Sequence, residues 1–145
     1  MNKSDLDYKN YLKAFPPERD KSKILLSLVG RIADNISHSI GYKLIQLAYR
    51  IQIDRTIDMD MLLNYNREIY RIFSYLIECG IQEGEFKPEI TAGVLADHFI
   101  MAIRGLTYEW CIRYPDFDLK SKLLLHFNIL LSGIRAEKNT SKICV

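Results

Sequence analysis

Residues 91–136 read TAGVLADHFIMAIRGLTYEWCIRYPDFDLKSKLLLHFNILLSGIRA and contain the two most apolar segments of the chain that have the period of a helix. Its apolar residues recur every three or four positions over residues 92–113 and again over 119–136, which is the period of an α-helix. Thr91 and Asp118 stand just before these two segments and suit the N-cap position of a helix. We therefore predict two long consecutive helices at the end of the folded domain.

Apolar side chains go most of the way round both predicted helices instead of forming one stripe. They are Val94, Leu95, Phe99, Ile100, Met101, Ile103, Leu106, Trp110 and Ile112 in the first helix, and Leu123, Leu124, Leu125, Phe127, Ile129, Leu130, Leu131 and Ile134 in the second. A helix that is apolar all round must be covered on all sides. A small helical domain cannot easily surround its own last helix, so we predict an isologous homodimer whose second copy covers the outer faces. Such an obligate interface typically buries more than about 2,000 Å².

The residues before this stretch also have the helical period, and none of them alternates like a strand. The pattern predicts earlier helices over residues 4–14, 19–38, 42–53 and 61–83. Pro16 and Gly41 end the first and second of these helices, and Gly84 is suited to cap the fourth in a left-handed backbone conformation. The predicted fold is all-α, an antiparallel bundle of about six helices.

The composition excludes several classes of protein. Among the 145 residues, 20 basic and 18 acidic side chains give a net charge of +2, without the basic excess of a domain that binds nucleic acid by itself. No apolar run is long enough for a transmembrane helix or a secretory signal, so we expect a cytoplasmic protein that does not bind membranes. Cys79, Cys111 and Cys144 are far apart and odd in number, which argues against disulfides and a thiolate metal site. We expect neither a metal nor a cofactor.

Three segments carry a resemblance to a known family. Residues 80–88 (GIQEGEFKP) look like the end of the long central helix in TetR-family transcriptional regulators. Residues 102–111 (AIRGLTYEWC) are similar to the penultimate helix of that family, and residues 114–119 (YPDFDL) resemble the linker before its last helix, which here ends in LLSGI. The resemblance covers residues 67–134 and is looser over 20–53.

The resemblance implies a ligand-sensing and dimerising domain, residues 16–136, followed by a flexible tail over 137–145. In this family the last two helices of each subunit form a four-helix-bundle dimer interface, and a cavity inside each subunit binds the effector. Effector binding then controls the binding of the intact protein to operator DNA, by default as a repressor. We expect the dimer interface to include Leu106, Trp110, Leu123, Phe127, Leu130 and Ile134.

The resemblance also implies a DNA-binding head that this sequence lacks. Regulators of this family begin with three short helices that contain a helix-turn-helix. Here only about fifteen residues precede Pro16, and residues 1–15 resemble the stub of the connecting helix that follows such a head. We therefore expect operator DNA to be a partner only through a head outside this sequence.

Five residues are candidates for the wall of an effector cavity. They are Tyr49, Tyr70, Phe73, His98 and Met101. Together they would form an aromatic and aliphatic wall with a few polar groups, which suits an apolar or aromatic small molecule. The alternative is that all five belong to an ordinary core, with their polar tips bonded to backbone or water.

Three further residues stand out in otherwise apolar helices. Arg104 would need a partner if it were buried, either an effector anion or a carboxylate such as Glu109. Gly30 and Gly105 each cost about 1 kcal/mol relative to alanine inside a helix, which indicates close helix packing or space for a ligand.

Enzyme motifs are nearly absent from the sequence. His38, His98 and His126 fall on different predicted helices, without nucleophile or metal-ligand spacing around them. We therefore expect that the chain is not an enzyme. Two rivals of the regulator remain: a helical interaction module with a filled core and no ligand, and a small helical enzyme whose polar side chains converge only in three dimensions.

Overall fold

The computed structural model describes residue 10 and residues 13–16, 20–55 and 60–137, with the backbone alone described for 60–66. Within this part of the chain, five α-helices pack together: α1 (Lys21–Asp34), α2 (Tyr42–Asp54), α3 (Asp60–Gln82), α4 (Ala92–Ile112) and α5 (Leu119–Ile134). The predicted all-α class is confirmed, because the described residues contain no strand beyond one isolated bridge between Phe86 and Arg135. The predicted helix over residues 4–14 falls almost wholly outside the described residues, as do residues 138–145 of the predicted tail.

The predicted helix ends are correct at three positions. The Thr91 side chain accepts a hydrogen bond from the Val94 amide at the start of α4, and the Asp118 carboxylate accepts one from the Ser121 amide at the start of α5. These bonds satisfy amide groups that have no partner within the helix. Gly84 has a φ of 80° just after α3, in the region that favours glycine.

The segment predicted as one helix over residues 19–38 changes its winding at its end. After α1, the segment Asn35–Ile40 forms a π-helical turn, in which the Gly41 amide donates to the Ile36 carbonyl at 2.9 Å. The Ser37 hydroxyl donates to the Ala33 carbonyl at 2.8 Å. A π turn leaves the apolar spacing of a short segment almost unchanged, so the sequence pattern did not reveal it.

A cluster of three phenylalanines forms the centre of the core. Phe73 of α3, Phe99 of α4 and Phe127 of α5 are almost fully buried, and their ring centroids lie 5.2 to 6.5 Å apart. Leu25 and Leu28 of α1 are also fully buried in this core. Phe99 packs edge to face against both other rings, and Phe73 and Phe127 are tilted at 41°, so the three rings join α3, α4 and α5.

A half-buried carboxylate joins three segments at one end of the bundle. Glu85, in the linker between α3 and α4, accepts hydrogen bonds from the amides of Lys21 and Ser22 and from the Ser22 hydroxyl, at 2.6 to 2.9 Å. Arg135, just after α5, donates to the same hydroxyl at 3.3 Å. Asp20 gives α1 no side-chain cap, so Glu85 caps this helix from a distant part of the sequence. We call Glu85, Lys21, Ser22 and Arg135 the carboxylate clamp.

Helix α2 lies on the outside of α4 and contributes no buried residue. Two hydrogen bonds join it to α4: the Gln46 amide donates to the Cys111 carbonyl, and the Tyr49 hydroxyl donates to the Arg104 carbonyl, both at 3.0 Å. Leu44 and Leu47 of α2 remain exposed. This helix is therefore held less firmly than the four that enclose the core.

Candidate functional site

The structure does not bring the five predicted cavity residues to one place. Phe73 is part of the phenylalanine core, and His98 and Met101 lie on the exposed side of α4. Tyr70 is half-buried, and its hydroxyl occupies the space above Gly93, where an added Cβ would lie 2.7 Å from the oxygen. Tyr49 lies at the contact of α2 with α4. The apolar periodicity of the sequence predicts the face of the helix on which each residue lies. It does not predict which faces of different helices contact each other.

Tyr49 is the member of this set that joins α2 to α4. Its ring packs edge to face against Tyr108 with the centroids 5.9 Å apart, and its hydroxyl is already bonded to the Arg104 carbonyl. Burial, with a smaller contribution from nearby Cys111, raises the pKa of Tyr49 to about 12. The phenol therefore stays protonated and acts as a hydrogen-bond donor between α2 and α4.

An open groove lies elsewhere, beside the carboxylate clamp. It has a volume of about 620 Å³ and runs between residues 87–90 of the α3–α4 linker, Leu95, and the end of α5 at Gly133 and Ile134. Lys87, Glu89 and Glu137 place charges of both signs along it. None of the five predicted cavity residues lines this groove. Sequence reasoning missed it because a linker and the end of a distant helix form it together.

The residues predicted for the dimer interface do not share one exposed surface. Trp110, Leu123 and Phe127 are buried within the single chain, with exposures of 5%, 0% and 0%. Leu106, Leu130 and Ile134 are half-buried against the same core. The first three therefore have no surface to offer to a partner. The apolar pattern of a helix does not show which of its faces its own chain covers.

A different set of residues forms the exposed side of the last two helices. On α4 it comprises Val94, His98, Met101, Gly105, Tyr108 and Ile112, which follow each other at alternating spacings of four and three. On α5 it comprises Lys122, His126, Ile129 and Gly133 with the same spacing, flanked by Leu125. We call these two stripes together the outer face. Met101 and Ile129 within it are 57% and 60% exposed.

Arg104 is exposed, and Gly30 and Gly105 have different surroundings. Arg104 is exposed on α4, so its charge needs no buried partner, and Glu109 pairs instead with Arg113 at 3.9 Å. A Cβ on Gly30 would meet the side chain of Lys120 at 3.4 Å, which fits close packing of α1 on α5. A Cβ on Gly105 would meet nothing within 4 Å, so packing inside one chain does not explain this glycine.

The described residues contain no cluster of metal-ligating side chains. In residues 20–55 and 60–137 no three His, Cys, Asp or Glu side chains are grouped as metal ligands. Burial raises the pKa of the Cys111 thiol, which disfavours the reactive thiolate. Among the helices of the described part of the chain, none has the length and apolar character needed to cross a membrane.

Comparisons of the chain with protein-family models, with curated proteins and with solved structures give no match. The described residues form an all-helical bundle with a buried apolar core and with exposed apolar side chains on its last two helices.

Proposed function

We propose that this chain is the dimerising, ligand-sensing domain of a TetR-type transcriptional regulator, most simply a repressor. In this proposal a small-molecule effector controls the binding of the intact protein to operator DNA. One observation carries the proposal: the outer face exposes large apolar side chains along both of the last two helices. The remaining support comes from the resemblance of residues 67–134 to that family.

The exposure of the outer face is the first step of the argument. Met101, Ile112 and Ile129 expose more than half of their side-chain surface, although each lies within or at the end of a well-formed helix. Burying such a side chain stabilises a protein by about 1.5–3 kcal/mol relative to leaving it in water. A contiguous apolar patch of this kind typically marks a protein interaction site.

We infer from the packing of the neighbouring helices that both stripes lie on the same side of the molecule. Helix α1 lies against the Lys120 and Leu124 side of α5, as the surroundings of Gly30 indicate. Helix α2 contacts α4 at Arg104 and Cys111. Apart from Tyr108, which packs against Tyr49 of α2, the outer face lies on the remaining sides of α4 and α5. These two helices are antiparallel neighbours joined by a short linker.

A second copy of the chain is the partner that fits this surface best. In an isologous dimer the same patch meets itself, so it must be self-complementary. Lys122 is the only formally charged member of the two stripes, and apolar side chains pair with apolar side chains. The spacing of four and three is that of helix seams in four-helix bundles. Gly105 and Gly133, both open to the outside, would allow close approach of the partner's helices.

The effector part of the proposal is supported by the weak attachment of α2. Helix α2 has no fully buried residue, and Tyr42, Ile45 and Tyr49 pack against the core from one side. An apolar or aromatic effector would enter between α2 and α4 by displacing these side chains. Tyr49 would then exchange its bond to the Arg104 carbonyl for a bond to the ligand. Movement of α2 would shift the population of conformations and so change DNA binding in the intact protein.

Two matched substitutions test the dimer. Met101→Glu places a charge on the outer face, whereas Leu44→Glu places one on α2, and both native side chains are 57% exposed. We expect sedimentation velocity to show a dimer for the native chain and for Leu44→Glu, and a monomer for Met101→Glu. A native monomer, or equal masses for the two variants, would contradict the proposal.

A helical interaction module without a ligand is the second candidate. The phenylalanine core favours it, because the rings of Phe73, Phe99 and Phe127 leave little space inside the domain. Thermal unfolding with a panel of flat aromatic compounds separates the two candidates. A ligand that raises Tm in the native chain but not in Tyr49→Phe favours the sensor, and a panel without any such ligand favours the module.

A further inference from the structure

We propose that the linker between α3 and α4 couples the start of α1 to the end of α5, so that these two segments lose and regain their hydrogen bonds as one cooperative unit. We call residues 20–24 and 133–137 the clamp segments. The regulatory meaning of the coupling rests on the proposed function, in which the DNA-binding head precedes α1 in the intact protein and α5 belongs to the dimer interface.

The start of α1 depends on the linker for its hydrogen bonds. The first amides of a helix have no partner within the helix, and Asp20 supplies no side-chain cap. One oxygen of the Glu85 carboxylate accepts from the Lys21 amide at 2.8 Å, and the other accepts from the Ser22 amide at 2.9 Å. The Lys21 ammonium group adds an ion pair with Glu83 at 3.2 Å. Lys21 and Ser22 are buried, so water cannot easily replace these bonds.

The end of α5 is bound to the same linker through the backbone. The Lys87 amide donates to the Ile134 carbonyl, and the Ala136 amide donates to the Glu85 carbonyl, both at 2.8 Å. These two bonds flank the isolated antiparallel bridge of the fold. Glu85 therefore holds α1 with its side chain and the end of α5 with its backbone.

One hydroxyl also joins the two clamp segments directly. The Ser22 hydroxyl donates to the Glu85 carboxylate at 2.6 Å and accepts a hydrogen bond from the Arg135 side chain at 3.3 Å. Polar groups that are linked in this way strengthen one another, and the loss of one member weakens the bonds of the others. The two segments thus share both a side-chain network and a backbone partner.

In the proposed regulator, this connection links the dimer to the DNA-binding head. A displacement of the end of α5 would alter the hydrogen bonds at the start of α1. The reverse also holds, because an energetic coupling between two sites is reciprocal. Glu85 is then a positioning residue, which acts through α1 and not by contact with DNA or effector.

Hydrogen–deuterium exchange of the whole chain, measured by mass spectrometry, tests the coupling. Glu85→Ala removes the carboxylate but keeps the backbone carbonyl that accepts from Ala136. We expect exchange to become about fivefold faster in both clamp segments, including the one at the end of α5. Glu85→Gln keeps one acceptor oxygen and should give a smaller increase in the same two segments.

Asp118→Ala is the matched control. Asp118 is also a carboxylate that caps a helix, but it lies at the other end of α5, where it accepts from the Ser121 amide at 2.9 Å. Exchange in this variant should increase near Ser121 and stay unchanged in the clamp segments. An equal increase in both clamp segments would overturn the inference, because a general loss of stability would then explain the result of Glu85→Ala.

The outcomes also separate this inference from the proposed function. An increase confined to residues 20–24 in both Glu85 variants would overturn the coupling, and would indicate that the linker holds the end of α5 independently through its own bonds to the Gly80 carbonyl. Exchange reports on each chain whatever its mass in solution. A monomer with coupled clamp segments would contradict the proposed dimer alone, and a dimer with independent segments would contradict the coupling alone.

Discussion

At the scale of single residues, the carboxylate clamp connects parts of the chain that are far apart in sequence. Glu85 lies in a segment predicted only as a link after α3, yet its carboxylate caps α1. Burial alone would raise the pKa of Glu85, but the hydrogen bonds from Ser22 and Lys21 and the charge of Lys21 lower it below the usual value. No periodicity in the sequence identifies such a partner, because side-chain capping over this distance depends on the tertiary fold.

Glu85→Gln should destabilise the domain by about 1–2 kcal/mol, since charge-assisted hydrogen bonds are stronger than neutral ones. Urea unfolding at neutral pH measures the change. Glu78→Gln is the control, because Glu78 is exposed on α3 and accepts a hydrogen bond from the Gln82 side chain at 3.4 Å, away from the clamp. Its effect should stay below about 1 kcal/mol.

The stability difference between the native chain and Glu85→Gln should depend on pH. A carboxylate whose folded-state pKa is lowered stabilises the fold above the unfolded pKa, and this stabilisation is lost as the pH falls through the folded value. The stability difference between native chain and Glu85→Gln should therefore be full at neutral pH and shrink below the ordinary glutamate value of 4.5. A difference that stays constant down to pH 3 would show that the ionised carboxylate is not the cause.

Gly80→Ala gives a second prediction at this scale. An added Cβ would lie 2.3 Å from the ring of Phe86, which is itself 1% exposed and cannot move aside freely. We expect a loss of about 1–3 kcal/mol from overpacking. Glu78→Ala is the control, because Glu78 is exposed on the same helix. The loss in free energy of unfolding should therefore be at least about 1 kcal/mol larger for Gly80→Ala than for the control.

At the scale of helices, sequence and structure agree where local chemistry decides. Thr91, Asp118 and Gly84 were predictable because caps need particular side chains or a particular φ. The π-helical turn after Asp34 was not, because its one extra residue per turn hardly alters a short apolar pattern. The orientation of α4 and α5 was also hidden, since apolar residues surround both helices.

Helix α2 should be the least protected of the described helices. It contributes no buried residue and is joined to α4 by the bonds of Gln46 and Tyr49. We expect its amides to exchange with deuterium faster than those of α4 and α5. Tyr49→Phe should increase exchange in α2 further while leaving α5 unchanged. Equal protection of α2 and α5 in the native chain would contradict this account.

At the scale of the whole molecule, the structure separates the residues of the predicted cavity, whereas the predicted interface keeps its two helices with other residues. The cavity residues were chosen by helix face, and the structure distributes them over the core, the α2–α4 contact and the surface. We still propose that the last two helices form the dimer interface. The residues proposed to form it are now Met101, Ile129 and their exposed neighbours, in place of those predicted from the sequence. The exposed face of α4 and α5 depends on how α1 and α2 pack against them. The apolar pattern of α4 and α5 alone does not predict that packing.

The most direct test of the central claim is the solution mass of the native chain. Light scattering coupled to size exclusion, over a dilution series at neutral pH, compares it with the 16.9 kDa of one chain. The account predicts twice that mass, persisting on dilution, because two outer faces cover each other. A stable monomer at every concentration would contradict the dimer, and with it the proposal that this domain regulates DNA binding by joining two subunits.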